Sequence, residues 1–343
     1  MPKTYAEAGV DTKREGSAIK ELVKKIQKTI PLRDGKIGEV IGDTGHFSGI
    51  VKLDAKKALA ISTDGVGSKI LVAEAMQKYD TIGIDLVAMN ANDVICVGAE
   101  PITLVDYIAM DRPDPAIIEE IGVGLAKGAE MAGVSIVGGE LASLPEMVHG
   151  IDLVGTIVGI VDIDKIIVGK DIGPGDAVLG LESSGIHSNG LTLARKVLLD
   201  AYDINGKIFG SKSLGDELLE PTKIYVKEIL DIVSQIKVNG LANITGGGLG
   251  NLQRLTELGF SIDVLPKPPR IFELIQEEGE ISDKEMYRTF NMGVGFCIII
   301  AEDEIDEAKK ICEKHRTKAQ KIGEVVEEKG VKMEDLSVKL GYG

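Results

Sequence analysis

The sequence predicts a two-domain protein of the α+β class (mixed α/β layers), in which each domain is a mixed β-sheet covered by helices. Three observations support this fold class. The chain has 343 residues, which is too long for one small core. Both halves alternate short apolar runs, glycine turns and amphipathic runs. The Gly-Pro-Gly turn in DKIIVGKDIGPGDAV interrupts this alternation and predicts one domain over residues 1–168 and another over 169–343.

Composition limits which classes of partner the protein can bind and indicates its cellular compartment. A formal net charge of −15, with no block of Lys or Arg, argues against nucleic acid as a partner. No apolar run is long enough to suggest a membrane partner, and the polar start MPKTYAEAGVDTKREG lacks the apolar core of a signal peptide. The three cysteines are widely spaced and form no CxxC pair, so reduced thiols and a cytoplasmic location are expected.

The first half begins with a polar stretch, residues 1–16, which is interpreted as a mobile arm. Ser17 then fits the N-cap of a helix, AIKELVKKIQKTI, because its apolar residues recur at helical spacing. A strand is predicted over 58–63, and helices are predicted over about 67–78 and 81–97.

The rest of this half is expected to complete a sheet. Pro101 opens a strand, ITLVDYIAM, and an amphipathic helix follows that Asp114 caps and Gly133 ends. The run VSIVGGE is typical of a buried strand, and IDLVGTIVGIVD is predicted to be a further strand.

The second half repeats the order of strand, glycine turn and helix. AVLGLES is a predicted strand, and SSGIHSNG leads into the helix LTLARKVLLD. Pro221 is expected to start another amphipathic helix, TKIYVKEILDIVSQI, because proline suits the first helical position. GLANITGGG is a predicted strand that ends in three glycines.

The stretch from Asp64 to Asp93 carries the first candidate site. Asp64 ends a strand at the turn DGVGSK, where Gly65 and Gly67 let the backbone approach a ligand and Lys69 could neutralise phosphate oxygens. Magnesium prefers oxygen ligands and keeps several waters, so two or three carboxylates with phosphates suffice. The pattern predicts a site for a magnesium–nucleotide triphosphate. The alternative is a strand, turn and helix with two solvated acids.

Three more polar residues belong to this candidate site. Asp43 in IGDTG could be a third metal ligand, or it could cap its own turn. Asn92 adjoins Asp93 at the polar end of its helix and is predicted to contact the nucleotide. Glu140 follows the two glycines of VGGE at a strand end, where it either lines a site or faces solvent.

Two glycine turns in the second half predict anion-binding cups. Successive N–H groups at a glycine turn before a helix bind anions without positive side chains. In SSGIHSNG the predicted ligand-binding residues are Ser188, Asn189 and Gly190, and in ITGGG they are Thr245, Gly246, Gly247 and Gly248. His187 could donate to a phosphate or act as an acid and base near neutral pH, or it could be structural.

Other nucleotide and hydrolase motifs are absent from the sequence. No Walker A motif or G-x-G-x-x-G follows the first strand, and no G-x-S-x-G elbow occurs. The residues alone therefore predict a two-domain enzyme that uses a magnesium–nucleotide and binds a phosphorylated second substrate in the cleft between the domains.

Several of these motifs together resemble those of the phosphoribosylformylglycinamidine cyclo-ligases (aminoimidazole ribonucleotide synthetases) of purine biosynthesis. The resemblance covers almost the whole chain. It is carried by TYAEAGVD, STDGVGSK, TIGIDLVAMNANDVICVGAEP, VGGE, SSGIHSNG, PTKIYVK, ITGGG and MYRTFNMGVG. It implies that ATP phosphorylates the formyl oxygen of formylglycinamidine ribonucleotide, and that the resulting iminophosphate closes to aminoimidazole ribonucleotide with release of ADP and phosphate.

The resemblance also implies roles for particular residues. Asp64 and Asp93 match the acids near Mg–ATP, and the cup after His187 matches the region that holds the substrate phosphate. We assign catalytic roles to His187, Lys69 and Glu140. The resemblance further implies a homodimer whose N-terminal sheets pair into a barrel. It also implies that the arm Thr4–Asp11 is a flexible cover over the active-site cleft.

Two departures from the family pattern keep an alternative open. The chain has GGELASLP where the family reads GGETAEMP, and IGDTGHFSG where the family has a GGFG-type loop. The second loop looks more like the metal-binding loop of kinase-like relatives, which favours Asp43 as a ligand. The alternative is another phosphotransferase of the superfamily, similar to thiamine-monophosphate kinase or selenophosphate synthetase. The latter would need a reactive Cys near the N-terminus, whereas the first cysteine here is Cys96.

Overall fold

The computed structural model describes residues 2–42, 45–208, 210–333 and 338–340. The helices in these ranges are α1 (Thr12–Ile26), α2 (Ile70–Met76), α3 (Ile82–Ile95), α4 (Pro115–Ala132), α5 (Leu191–Ala201), α6 (Leu214–Leu218), α7 (Val226–Gln235), α8 (Arg270–Gly279), α9 (Asp283–Thr289) and α10 (Ile305–Lys314). The strands are β1 (Gly49–Lys52), β2 (Lys57–Gly65), β3 (Glu100–Met110), β4 (Ser135–Ser143), β5 (Ile151–Asp162), β6 (Ala177–Glu182), β7 (Val238–Asn243), β8 (Gly259–Ile262), β9 (Val294–Ile300), β10 (Ala319–Val326), β11 (Gly330–Met333) and β12 (Val338–Leu340).

The first sheet has five strands in the order β1-β2-β5-β3-β4. β3 and β4 are parallel, and the other neighbours are antiparallel. Along β5, buried and half-buried residues alternate from Leu153 to Val161, as expected for a strand with one covered face. Helix α3 lies on the covered face, because a Cβ on Gly155 or Gly159 of β5 would meet the side chains of α3 residues.

Helices α3 and α4 touch backbone to backbone. A Cβ on Gly83 of α3 would lie 2.3 Å from the N atom of Leu125, and one on Gly124 of α4 would lie 2.7 Å from the O atom of Asp80. Only glycine permits this approach. The contact covers α3 on the side away from the sheet, so nearly every residue of α3 is buried.

The second sheet has seven strands in the order β12-β11-β8-β10-β6-β9-β7. β8 and β11 are parallel, and the other neighbours are antiparallel. All residues of β7 and β9 are buried. The prediction of two domains, each with a mixed sheet and packed helices, is therefore confirmed. The boundary at 168/169 falls between β5 and β6 and stays a prediction.

The predicted start of the first helix is wrong. Helix α1 begins at Thr12, and Ser17 lies inside it. The Asp11 Oδ1 atom accepts a hydrogen bond from the Arg14 N–H at 3.1 Å, which is the geometry of an N-cap. An aspartate six residues earlier thus caps the helix in place of the serine.

Two other predictions are corrected by tertiary contacts. The run VSIVGGE forms part of β4, which is not buried but largely exposed, because β4 is an edge strand. Helix α7 starts at Val226 and not at Pro221. The main-chain N–H groups of Thr222 and Tyr225 instead donate to the side chains of Asp85 and Asn92 on α3.

Candidate functional site

Two enclosed carboxylates form the centre of the site. Asp64 lies near the end of β2 and Asp93 lies in the last turn of α3. Asn90 joins these two elements, because its Oδ1 atom accepts from the Asp64 N–H at 3.1 Å and its Nδ2 atom donates to the Asp64 O atom at 3.2 Å. The fold thus brings two acids that are far apart in sequence side by side.

Burial dominates the electrostatics of this acid pair (Asp64 and Asp93). It raises the pKa of Asp64 above its ordinary value. Burial also raises the pKa of Asp93 to about 7; a hydrogen bond from Asn243 opposes this shift, and the charge of Asp64 adds to it. Two carboxylates in a region of low polarity repel each other unless a cation lies between them. The pair therefore suits a divalent cation.

The second domain supplies the other side of the acid pair. The Asn243 Nδ2 atom, at the end of β7, donates to Asp93 Oδ1 at 2.9 Å. The positive charge of Arg254 acts on both Asp64 and Asp93. Its guanidinium lies 4.8 Å from the centroid of the Phe47 ring. The acid pair thus lies where the two domains meet.

The turn after Asp64 has the predicted glycine geometry. The Gly65 N–H donates to Asp64 Oδ1 at 2.7 Å. Gly67 has a φ of +67°, a left-handed conformation that favours glycine, and a Cβ there would have open space within 4 Å. The third proposed ligand, Asp43, lies outside the described residues. Within the described ranges, no group of three or more His, Cys, Asp and Glu side chains could hold a metal ion.

The two glycine turns of the second domain lie next to each other. A Cβ on Gly246 would lie 3.1 Å from the Asn189 Oδ1 atom. The Asn189 Nδ2 atom is enclosed and has no hydrogen-bond partner among the described residues. Gly190, with a φ of +77°, precedes the first residue of α5. An unused amide donor and a helix N-terminus therefore meet at one place.

The remaining residues of the two turns are fixed by packing. A Cβ on Gly190 would lie 2.3 Å from the Phe290 ring, and one on Gly248 would lie 2.0 Å from the Tyr287 O atom. Gly247 has a φ of +120°. The Thr245 N–H donates to the Asn251 side chain at 2.9 Å, so the protein itself uses this donor.

The N-terminal arm packs against the first of these turns. The Tyr5 N–H donates to Glu285 at 2.8 Å, and the Lys196 Nζ atom of α5 donates to the Ala8 O atom at 2.7 Å. Burial raises the pKa of Tyr5, while a hydrogen bond from the Gly190 main chain opposes that shift. The Tyr5 phenol therefore lies directly over the start of α5.

Helix α3 also holds the two domains together. Asp85 Oδ1 accepts hydrogen bonds from Lys69 Nζ at 2.9 Å, from the Thr222 N–H at 2.8 Å and Oγ1 at 2.6 Å, and from Ser188 Oγ at 3.1 Å. Asn92, seven residues later on the same helix face, donates to the Lys223 O atom and accepts from the Tyr225 N–H. We call the contacts of Asp85 and Asn92 the α3 latch.

The α3 latch contains three predicted site residues. Lys69 is fully buried, and its ammonium contacts Asp85 and the Glu220 O atom. It thus lies in an enclosed ion pair and not beside the acid pair. The Asn92 amide and the Ser188 hydroxyl are likewise engaged within the protein. Their proposed contacts with ligands stay predictions. Asp85 was not predicted as a site residue, although its spacing of seven from Asn92 places both residues on one helix face.

His187 lies in a fully enclosed position beside the α3 latch. Burial, with the nearby charges of Lys69 and Lys223, lowers the pKa of His187 to about 3. The ring is therefore neutral at pH 7, and its Nε2 atom accepts from the Ser184 N–H at 3.2 Å. This environment does not favour proton exchange near neutral pH, and a contact between His187 and a phosphate stays a prediction.

Glu140 is not brought to the acid pair within one chain. It lies on the exposed edge strand β4 and pairs with Tyr107 of β3. Tyr107 pairs with Val154 of β5, and Val154 pairs with Gly65 of β2. Three strand spacings therefore separate Glu140 from the row of Gly65, a distance of about 14 Å. The catalytic assignment of Glu140 stays a prediction.

None of the helices in the described part of the chain has the length and apolar character needed to cross a membrane. The two domains match two family descriptions. Residues 45–161 match the N-terminal domain of AIR synthase related proteins, and residues 173–335 match the C-terminal domain. This pair of domains defines the class of protein.

Similarity to named proteins is more specific. The chain is 50% identical to phosphoribosylformylglycinamidine cyclo-ligase of Thermococcus kodakarensis over 98% of this chain and 99% of the relative. It belongs to the phosphoribosylformylglycinamidine cyclo-ligase family. The resemblance seen in the sequence is thereby confirmed, as is the prediction that the protein is a ligase.

Solved structures agree on the fold. Thiamine-monophosphate kinase from Stenotrophomonas maltophilia has a TM-score of 0.64 and 17% identity, covering 92% of this chain and 96% of the kinase. T. maritima PurL complexed with ADP has a TM-score of 0.62 and 19% identity, covering 93% of this chain and 47% of that chain. At these identities the likeness concerns the fold alone.

Proposed function

We propose that the protein catalyses the ATP-dependent ring closure of formylglycinamidine ribonucleotide to 5-aminoimidazole ribonucleotide, with release of ADP and phosphate, in de novo purine biosynthesis. The observation that carries this proposal is the placement of an enclosed acid pair opposite two adjacent glycine turns. The pair suits a metal–polyphosphate, and the turns suit the phosphate of a second substrate. Relatives about half identical to this chain are named for the same reaction.

The reaction has two chemical steps. The formyl oxygen attacks the γ-phosphorus of ATP, ADP leaves, and a nitrogen-bound proton is lost to give an iminophosphate. The amidine nitrogen then attacks the iminophosphate carbon, and the C–O bond to phosphate breaks. Loss of a proton completes the ring. The chain's task is to hold both substrates so that these atoms meet.

The acid pair is proposed to hold Mg²⁺. When bound, magnesium would neutralise charge on the ATP phosphates. Asp64 and Asp93 fit this ion because burial raises the pKa of both carboxyls, and a dication relieves the repulsion that keeps them from ionising together. Asn243 orients Asp93 from the other domain.

The substrate phosphate is proposed to lie where the two glycine turns meet. The unused amide of Asn189 and the N-terminus of α5 supply donors there. The Tyr5 phenol packs against Gly190, so the N-terminal arm excludes water from this place. Exclusion of water strengthens the hydrogen bonds and charge interactions that hold the phosphate there.

A direct assay tests this function. Purified protein, Mg–ATP and formylglycinamidine ribonucleotide should yield ADP and the aminoimidazole product in equal amounts. Thiamine monophosphate and selenide serve as control substrates. ATP turnover with one of these controls, and none with the ribonucleotide, would reject the proposal.

We also propose that the protein is a cytoplasmic homodimer whose first sheets pair into a barrel. All three cysteines are buried and unpaired, as expected for a reducing compartment. The face of the first sheet opposite α3 leaves large apolar side chains exposed. They are Ile61, Ile102, Val105, Tyr107 and Val137, with exposed fractions from 38% to 67%. An apolar surface of this kind marks an interaction site.

The dimer proposal has a matched test. Val105→Asp places a charge on the exposed sheet face, whereas Val123→Asp places the same charge on α4, where Val123 is 57% exposed. Sedimentation equilibrium should give a monomer for Val105→Asp and a dimer for Val123→Asp and the wild type. A dimeric Val105→Asp variant would contradict this interface.

A further inference from the structure

The loop before β1 holds a histidine to which the proposed function gives no role. His46 lies in the stretch IGDTGHFSG, and Phe47 and Ser48 after it are buried. The Phe47 ring packs edge-on against His46, with centroids 5.5 Å apart and an interplanar angle of 81°. The Ser48 Oγ atom donates to the Asp93 O atom at 3.0 Å. These contacts fix His46 near the acid pair.

The imidazole of His46 has no hydrogen-bond partner within the described ranges. Both ring nitrogens, Nδ1 and Nε2, are enclosed by protein. A neutral imidazole offers one N–H donor and one acceptor, and buried groups of this kind are normally paired. His46 therefore has an unused donor and an unused acceptor, two residues before Ser48, which contacts Asp93.

The cation next to His46 is Arg254. Burial, and to a smaller extent the charge of Arg254, lowers the pKa of His46 to about 4, so the ring is neutral at pH 7. The charge of Arg254 also acts on Asp64 and Asp93. A neutral imidazole and a guanidinium thus lie close to each other and to the acid pair.

We propose that the N–H group of His46 donates a hydrogen bond to a polyphosphate oxygen of ATP, beside the positive charge of Arg254. This inference rests on the proposed function, because it takes the acid pair as the place of Mg–ATP. Phosphate oxygens are strong acceptors. A neutral donor binds them in the enclosed site without the cost of burying a second positive charge. His46 is then a nucleotide-binding residue in a loop that departs from the family pattern.

Nuclear magnetic resonance of the full chain tests the contact. The ring ¹⁵N signals of labelled histidine are followed as Mg–AMPPNP is added, and loss of one signal pair in His46→Asn assigns His46. The His46 signals should shift, whereas those of His315, which contacts Asp231 at 3.0 Å, should stay unchanged. Adenosine alone should leave the His46 signals in place. A shift with adenosine would put the base there and overturn the proposal.

Kinetics provide the second readout. His46→Asn should raise the KM for ATP by about tenfold or more, since hydrogen bonds to charged groups are of this strength. The KM for the ribonucleotide should not change, and His315→Asn should behave as the wild type. Unmoved His46 signals while calorimetry detects Mg–AMPPNP binding would overturn the contact. No binding of Mg–AMPPNP to the wild type would instead reject the proposed function. If His46→Asn does not fold, His46→Gln assigns the signals and the wild-type titration still decides.

Discussion

Two contacts between α3 and β2 hold Asp64 and Asp93 side by side. The Asn90 amide of α3 bonds the Asp64 main chain, and the Ser62 Oγ atom of β2 donates to Asp93 Oδ2 at 3.4 Å. Burial and mutual repulsion make the pair unfavourable unless a cation balances it. The acid pair therefore lowers the free energy of unfolding of the apo protein. We infer that this cost is recovered when a metal–polyphosphate binds.

Neutralising either acid should remove that gain. Asp64→Asn and Asp93→Asn should each lower kcat/KM by about a thousandfold or more, because each removes charge that fixes the metal and its phosphates. The free energy of unfolding of the apo protein should not fall, since each change removes the repulsion between the acids. Steady-state kinetics and urea unfolding measure the two effects. Near-normal turnover in both variants would exclude the metal site.

The buried neutral state of His187 predicts how stability depends on pH. Its folded-state pKa of about 3 lies below the value of about 6.5 for an exposed histidine. Between these values the unfolded chain binds the extra proton, so stability rises with pH. The contribution is fully present above pH 6.5 and is lost as the pH falls toward 3, by at most about 1.4 kcal/mol per pH unit.

His187→Gln isolates this contribution, because every other group titrates alike in both proteins. Urea unfolding at several pH values from 4 to 8 should give a shallower acid-side slope for the variant than for the wild type. The pH dependence of activity between pH 6 and 8 should be the same in the variant and in the wild type, because His187 does not titrate in that range. Parallel slopes would contradict a buried neutral His187.

At the scale of elements, the contact of α3 with α4 depends on glycine. Gly83→Ala should lower the free energy of unfolding by about 1–3 kcal/mol or more, because its Cβ would lie 2.3 Å from the Leu125 N atom. Gly122→Ala on α4 is the matched control, since nothing lies within 4 Å of its Cβ. That variant should gain about 0.5–1 kcal/mol from helix propensity. Chemical denaturation measures both; equal effects would refute the close approach.

Elements that are set by local signals were predictable from the sequence. Helix α4 begins after Asp114, whose side chain accepts from the Ala116 N–H, and it ends at Gly133 in a left-handed conformation, as predicted. Both signals lie within the helix ends themselves. The predicted helix start at Pro221 was wrong, because distant side chains on α3 bind the backbone that would have formed the first turn.

The same distinction between local signals and distant contacts applies to the residues of the candidate site. Asp64, Gly65 and Gly67 lie at one turn, and their chemistry can be read from neighbouring letters of the sequence. The uses of Lys69 and Asp85 could not be, because both side chains bond to residues of the second domain, Glu220 and Thr222. No local pattern specifies how the two domains are placed. Arg254 was also missed, because a single arginine after a glycine turn has no distinctive spacing in the sequence.

At the scale of the whole molecule, the α3 latch determines how the acid pair faces the glycine turns. One helix reaches the second domain through Asp85 and Asn92, and it carries Asp93 one residue further. Distances across the cleft therefore depend on contacts made away from the cleft itself. A loosened α3 latch should affect both stability and substrate placement.

Asp85→Asn tests this coupling, because it leaves the fully buried Lys69 ammonium without its counter-charge. The free energy of unfolding should fall by about 3–5 kcal/mol, the usual cost of breaking a buried ion pair from one side. Glu307→Gln breaks the exposed pair with Lys310 and should cost less than about 1 kcal/mol. In Lys69→Met combined with Asp85→Leu, much of the lost stability should return, because no unpaired charge is then buried. The KM for the ribonucleotide should nevertheless stay raised in the double variant, since Ser188 and Thr222 no longer have the carboxylate that positions them. A double variant with wild-type KM would show that the α3 latch stabilises the protein without positioning the substrate.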